Sequence, residues 1–273
     1  MIRILFLTIL IGIGLGLAAW LVLAAQFAVA IATREGALIA APKSAVRDDL
    51  PDAVTAFADK GLSGGETVAT VRFTQDADMQ RSPGQDWLPL TARQVVSASA
   101  PGFLWVARQG GFGPVPMVRV LDAYDPQRGG VLAIRLLGAF PIGTLSGGPA
   151  DRAEAMRYLA ELPWCPDAIL TNHDIGWEKT AEGFAATLGT KGGEARVEFT
   201  FDSDGDIIAV SAEERPATMP DGTTALLPWR GTMGDYDQMG ERRVPRRAEV
   251  GYVYDTGYAP YFRAEITQYE VLR

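Results

Sequence analysis

From Ile4 to Thr33 no residue carries a charge, and the run is bracketed by Arg3 on one side and by Arg34 and Glu35 on the other. As a helix, a run of this length reaches about 45 Å, against a bilayer hydrocarbon core of about 30 Å. Inside lipid every backbone donor and acceptor must be satisfied within the segment, so a single apolar run of this kind can only be helical there. The pattern predicts an N-terminal transmembrane anchor over residues 1–33, a tether over 34–50 and a single domain over 51–273. A cleaved export signal is a second reading, and Ala28-Val29-Ala30 supplies a small-residue cleavage site. Such a signal has an apolar stretch of roughly 7 to 15 residues, however, and this run is longer and lacks a short polar segment before the site. A buried core helix is the third reading. Gly12 and Gly16 form one G-x-x-x-G spacing, which lets two membrane helices approach closely, although small residues are common in such helices for other reasons.

Orientation follows less directly from the flanks. Arg3 alone precedes the run, while Arg34, Lys43 and Arg47 follow it, and the positive-inside rule read literally puts the domain in the cytoplasm. Long domains cross largely regardless of charge, and a three-residue N-tail has the form of an export signal. The expectation is a single-pass protein of the inner (plasma) membrane with an extracytoplasmic domain, cytoplasmic orientation being the alternative. Cys165 is the chain's single cysteine, which rules out an intramolecular disulfide and leaves the compartment open. A net charge of −8 argues against a nucleic-acid partner held through phosphates.

Beyond the anchor the periodicity changes twice. Leu50-Pro51-Asp52 opens a short helix in which Val54, Phe57 and Ala58 share one face, and Gly61 closes it. From Val68 onward the chain alternates with period two. Strands are expected at Val68–Gln75, Thr91–Ala98, Gly102–Arg108, Met117–Tyr124 and Gly130–Leu137. One amphipathic helix follows Gly148-Pro149 and ends at Pro163, with Ala155, Met156, Leu159 and Leu162 on one stripe and Arg152, Glu154, Arg157 and Glu161 mostly on the other. Strands resume at Ile175–Ala181, Phe184–Thr190, Ala195–Phe201 and Ile207–Glu214. A loop is expected over Pro216–Arg243, then a closing hairpin of Arg247–Asp255 and Tyr261–Val271. Hairpin-linked strands with one or two helices define an α+β, mainly β, antiparallel domain.

The succession Pro101-Gly102-Phe103-Leu104-Trp105, Asp122-Ala123-Tyr124, Arg157 through Pro166 and Trp177 resembles a bacterial family of membrane-anchored proteins known only as a domain of unknown function. Phe201-Asp202, Arg215-Pro216, Pro228-Trp229, Gly240 and Val244-Pro245 continue that resemblance over the soluble part. The strand order is also similar to that of periplasmic lipoprotein carriers. That likeness implies a strongly curved antiparallel sheet, a half-barrel packed against one or two helices, with room for acyl chains. Unlike those soluble carriers, this chain keeps an N-terminal anchor.

No catalytic, cofactor or metal residue is assigned. His173 is the single histidine, so any Ser-His-Asp or Cys-His mechanism must use it, and sites built on several imidazoles are excluded. Asp202-Ser203-Asp204-Gly205-Asp206 has calcium-loop residues, but Ile207 stands where an EF-hand loop needs glycine, and a hairpin turn is the expectation. Gly110-Gly111-Phe112-Gly113 lacks a following helix and is read as a hairpin tip. Trp105, Trp164, Trp177, Trp229, Tyr252 and Phe262 are candidates to line an apolar pocket, with ordinary core packing as the alternative for each. Arg242, Arg243, Arg246 and Arg247 form the basic cluster of an acidic domain and are candidate contacts to lipid headgroups, or else members of local ion pairs with Glu241 and Glu249.

The expected function is that of a membrane-anchored, non-enzymatic binding protein for a lipid or other apolar ligand on the concave face of the sheet. Its partners would be the bilayer, through residues 4–33, and that ligand. The alternatives are a structural or partner-binding domain of an envelope complex, and an enzyme of non-histidine chemistry. The last would require a concave cluster of acidic residues with strongly perturbed pKa values.

Overall fold

The computed structural model describes residues 2–219 and 221–273; Met1 of the predicted anchor and Pro220 of the predicted loop lie outside the described residues. The alternating segments form β1 (Thr70–Met79), β2 (Leu88–Ser97), β3 (Phe103–Phe112), β4 (Val115–Asp125), β5 (Gly129–Leu136) and β6 (Phe140–Ser146). After the helices come β7 (Gly176–Lys179), β8 (Gly183–Thr190), β9 (Gly193–Phe201), β10 (Ile207–Thr218), β11 (Thr224–Met239), β12 (Arg242–Tyr254) and β13 (Gly257–Leu272). Among the described residues all thirteen belong to one antiparallel sheet of order β6-β5-β4-β3-β2-β1-β13-β12-β11-β10-β9-β8-β7. Each half is a meander of hairpins, and the halves join where β1 pairs with β13, from Thr70 opposite Leu272 to Met79 opposite Phe262. Register shifts in β1, β5, β10 and β12 bend and twist the strands, giving a half-barrel with open edges at β6 and β7.

The expected loop over Pro216–Arg243 is instead largely strand. β11 contains Pro228, Gly231 and Gly234, which depress local strand propensity, yet it is paired on both sides, to β10 and β12. Pro228 is accommodated because it sits in a bulge: Ala212 pairs with Trp229 and Arg215 with Leu227, so Glu213 and Glu214 face a single residue that has no N–H to offer. β6 and the short helix α4 (Pro166–Thr171) are further elements the periodicity does not announce.

Helix α2 (Asp52–Leu62) buries Val54, Phe57 and Ala58 as its spacing predicts. Helix α3 (Gly148–Ala160) lies on the concave face, but it is not half-solvated. Asp151, Glu154, Met156, Tyr158 and Leu159 are all buried, because the curved sheet wraps around both of its sides. Its start is seated by two glycines. A Cβ on Gly130 would lie 2.4 Å from the Ala150 carbonyl oxygen and one on Gly192 would lie 1.7 Å from that of Gly148. The Asp151 carboxylate accepts from Gly130 N–H at 2.7 Å and ties the same end to β5.

Helix α1 (Ile2–Ile39) runs past the predicted boundary at Thr33 and through part of the expected tether. Phe27, Ile31 and Leu38 are buried on the convex face against Val95, Leu104, Val106, Leu121, Ala123 and Ala133. Arg119 and Arg135 approach the Phe27 ring at 5.8 and 5.1 Å from its centre. Arg34 meets Asp125 at 3.4 Å, and Glu35 accepts from Arg72 and Arg93. The apolar side chains from Ile2 to Leu17 remain exposed.

Candidate functional site

The concave face encloses a cavity of about 660 Å³ between the sheet and α3, a size typical of small-molecule sites. Its walls are mostly apolar. Val118 and Val120 of β4, Leu132 and Ile134 of β5, Val250 of β12 and Ala153 of α3 all face it. Exposed lining residues at Ile142 and Leu145 on β6, and at Thr218 and Thr224 at the β10–β11 turn, mark where it meets solvent.

Five of the six aromatic candidates line this space: Trp105, Trp164, Trp229, Tyr252 and Phe262. Their polar tips are tied down. The Trp105 indole donates to Gln75 at 2.8 Å, that of Trp164 to the Pro245 carbonyl at 2.7 Å and that of Trp229 to the Tyr261 hydroxyl at 3.1 Å. Trp177 stands elsewhere, tilted against Phe199 with ring centres 5.5 Å apart.

None of the four basic candidates lines the cavity. Arg242 is a correction: its side chain is 0% exposed and grips Asp167, also 0% exposed, so a lipid headgroup does not reach it. Arg243 holds both oxygens of Asp206 at 2.7 Å. Arg246 pairs with Glu265, and Arg247 lies 3.1 Å from Asp235 and 3.5 Å from Glu265. Asp206 also receives Lys60 at 2.8 Å, and Asp202 caps the turn by accepting from Asp204 and Asp206 N–H, so this loop is a hairpin turn. His173 rests on the Ala45 carbonyl oxygen at 3.1 Å, and buried Cys165 has its thiol pushed up by burial and then by the Asp167 carboxylate.

A polar cluster inside the cavity escaped the sequence reading. Arg157 reaches Asp122 at 2.6 Å and Glu161 at 2.8 Å while lying over the rings of Phe103 and Trp105. Gln94 donates to Glu161. Glu154 stands next to Asp122, and burial, followed by that neighbouring carboxylate, raises its pKa well above the ordinary 4.5. Part of this was legible. Val118, Val120 and Asp122 share one parity on β4, so Asp122 interrupts an apolar face. Glu154, Arg157 and Glu161 recur at helical spacing with Ala150, Ala153 and Ala160, all of which line the cavity. Across the cavity Arg215 of β10 also faces inward, its guanidinium carbon 5.0 Å from the Trp229 ring centre and 5.7 Å from that of Tyr252. No simple sequence signal marks it, because strict alternation from Val210 and Ala212 would send Glu214 inward instead.

A half-barrel of antiparallel strands with an apolar interior and a buried charged cluster defines a curved-sheet cavity protein. Within that class the chain belongs to a family of unknown function, DUF6544, whose model matches residues 41–264. No curated protein shows significant similarity to it. Among solved structures it is similar to a LolA superfamily protein from Nitrosomonas europaea, at 9% identity and a TM-score of 0.42, covering 80% of this chain and 93% of the other. It is also similar to a DUF1329 family protein from Desulfovibrio piger, at 9% identity and a TM-score of 0.44, covering 80% and 92%.

Proposed function

We propose that this protein is a membrane-tethered binding protein that holds a lipid or another apolar ligand inside the half-barrel. The observation that carries the reading is the 660 Å³ cavity, walled by aliphatic and aromatic side chains and open to solvent at β6. Removing apolar surface from water supplies the affinity at about 25 cal/mol per Å² of surface buried. The bound aromatic tips keep the walls in place, which limits the ordering cost of binding.

The tether reading is supported by the exposed apolar surface of α1 before its docked portion. Residues 2–19 of that helix, ahead of its first contact with the domain at Trp20, extend about 27 Å, close to the thickness of a hydrocarbon core. The Trp20 indole donates to the Leu137 carbonyl at 3.1 Å, which sets the β5–β6 turn beside the end of this span. Ile142 and Leu145 follow that turn, so a ligand leaving the bilayer would meet the cavity mouth first. The domain is taken to be extracytoplasmic, and a cytoplasm-restricted reporter fused to the C-terminus would be inactive on that topology and active on the reverse.

The decisive experiment for binding is native mass spectrometry, with lipid extraction, of the full-length protein purified in mild detergent. A stoichiometric apolar ligand that survives detergent exchange is the expected result; an empty protein that takes up no added lipid would overturn the reading. A second reading, a carboxylate-based enzyme, is favoured by one observation, the Asp122–Glu154 pair inside the cavity with the Glu154 pKa raised. Comparison of ligands recovered from the wild type and from Glu154→Gln separates the two. Identical species fit a binder, and an unprocessed species accumulating on E154Q fits an enzyme.

A further inference from the structure

The charges inside the cavity do not balance evenly. Arg157 is neutralised by two carboxylates, Asp122 and Glu161. Arg215, 7% exposed, has no carboxylate within ion-pair distance among the described residues. Its hydrogen bond runs from Nη1 to the neutral Tyr252 hydroxyl, which itself donates to the Pro216 carbonyl at 3.2 Å. Its Nε–H is buried and has no acceptor. Stacking between Trp229 and Tyr252 offsets part of the desolvation of this cation, but a buried guanidinium normally finds a carboxylate or phosphate to fill its donor fork. Glu154 and Asp122 act on this guanidinium through space, but neither reaches it with a hydrogen bond or at ion-pair distance.

The position of Arg215 comes from the bulge opposite Pro228. Two consecutive glutamates, Glu213 and Glu214, occupy the bulge and stay exposed, and the next residue turns into the cavity. Bulges re-aim side chains, and this one exchanges an inward carboxylate for an inward guanidinium. The result is a buried cation with no carboxylate in contact with it, set in a mostly apolar chamber.

We propose that Arg215 is an anion-recognition point, so that the ligand of the cavity is an amphiphile with an anionic head, a carboxylate or a phosphate monoester, whose hydrocarbon part lies along the apolar wall. The inference rests on the cavity reading above and adds the chemistry of the head. Arg215 is a binding residue here. Trp229 and Tyr252 position its guanidinium plane, leaving the Nη donors that Tyr252 does not use for the oxygens of one head group.

Native mass spectrometry of the full-length protein released from dodecyl maltoside micelles tests this, after loading with equimolar oleate and oleyl alcohol, and in parallel with oleyl phosphate and oleylamine. A charge-assisted contact in a buried site predicts an acid-to-alcohol adduct ratio of about tenfold or more, with the amine weakest. The oleyl phosphate arm shows whether carboxylate or phosphate is preferred. Arg215→Met should bring the acid-to-alcohol ratio near one, whereas Arg215→Lys should retain a preference for the acid. If R215M does not fold, as read by thermal unfolding, the wild-type and R215K ratios decide. Equal uptake of acid and alcohol by the wild type would overturn the anion site while leaving the cavity reading intact. Uptake of none of the four would overturn the cavity reading and the anion site with it.

Discussion

Arg242 and Asp167 face each other in a bidentate pair, Nε to Oδ2 at 2.9 Å and Nη2 to Oδ1 at 2.8 Å, with neither side chain reaching solvent. The pair ties β12 to the first turn of α4, and the remaining groups are satisfied too. Asp167 accepts from Val68 N–H at 2.8 Å, while Arg242 donates to the carbonyls of Glu66 at 2.8 Å and Glu241 at 3.0 Å. A buried pair with its hydrogen bonds complete is held by mutual compensation, and loss of one member strands the other charge in the core. Asp167→Ala or Arg242→Ala is therefore expected to cost about 3–5 kcal/mol of folding free energy. Urea unfolding checks this, and a midpoint within error of the wild type would refute it.

Glu154 gives the protein a pH-dependent stability term. Its folded pKa is raised, so the unfolded chain releases this proton near 4.5 while the folded chain retains it. The carboxyl then destabilises the fold increasingly as pH climbs from about 4.5 through its folded pKa, and it has no effect below both values. Replacement by the neutral glutamine removes this dependence. The stability of E154Q relative to the wild type should rise between pH 5 and pH 8 in urea titrations; parallel pH profiles would sink the assignment.

Ile134 of β5 lines the cavity and is only partly buried, so a larger side chain there can fill space without rebuilding the core. Ile134→Trp is expected to weaken binding of a neutral apolar fluorophore by about tenfold, with a stability change below about 1.5 kcal/mol. Unchanged probe affinity in a folded variant would show that the probe sits elsewhere.

Cys165 is 0% exposed, and burial holds its thiol in the neutral form. Because the thiolate is the reactive species, a thiol reagent should leave the native protein unmodified and label one cysteine per chain in denaturant. Rapid labelling of the native protein would contradict this burial.

The docked part of α1 covers an apolar patch formed by Val95, Leu104, Val106, Leu121, Ala123 and Ala133. Removal of residues 1–22 spares Phe27, Ile31 and Leu38 and should leave a monodisperse protein. Removal of residues 1–40 uncovers the patch and should produce self-association. Light scattering after size exclusion distinguishes the two, and identical behaviour would show that the helix contact does not protect the surface.

These outcomes divide along a line that is visible in the chain itself. The uncharged run, the period-two segments and the turn residues between them follow from local chemistry, and they determine an N-terminal apolar helix ahead of an antiparallel β-rich domain. The inward positions of Trp105, Trp229, Tyr252 and Phe262 follow from strands whose large apolar side chains seek an interior, whereas Trp164 lies in the helical turn after α3 and Trp177, on the short strand β7, stands against Phe199. Arg242 could not be separated from Arg243, Arg246 and Arg247 by sequence, because its partner Asp167 is distant in the chain and meets it only in the folded sheet. β11 was hidden because Pro228, Gly231 and Gly234 disfavour a strand locally, while pairing on both sides stabilises one. Only the tertiary structure decided which charges lie inside. A bulge of two residues against Pro228 changes the parity of β10, and the curvature of the sheet turns the polar side of α3 into a cavity wall, so the inward positions of Arg215, Glu154 and Arg157 depend on strand register and sheet closure rather than on residue type.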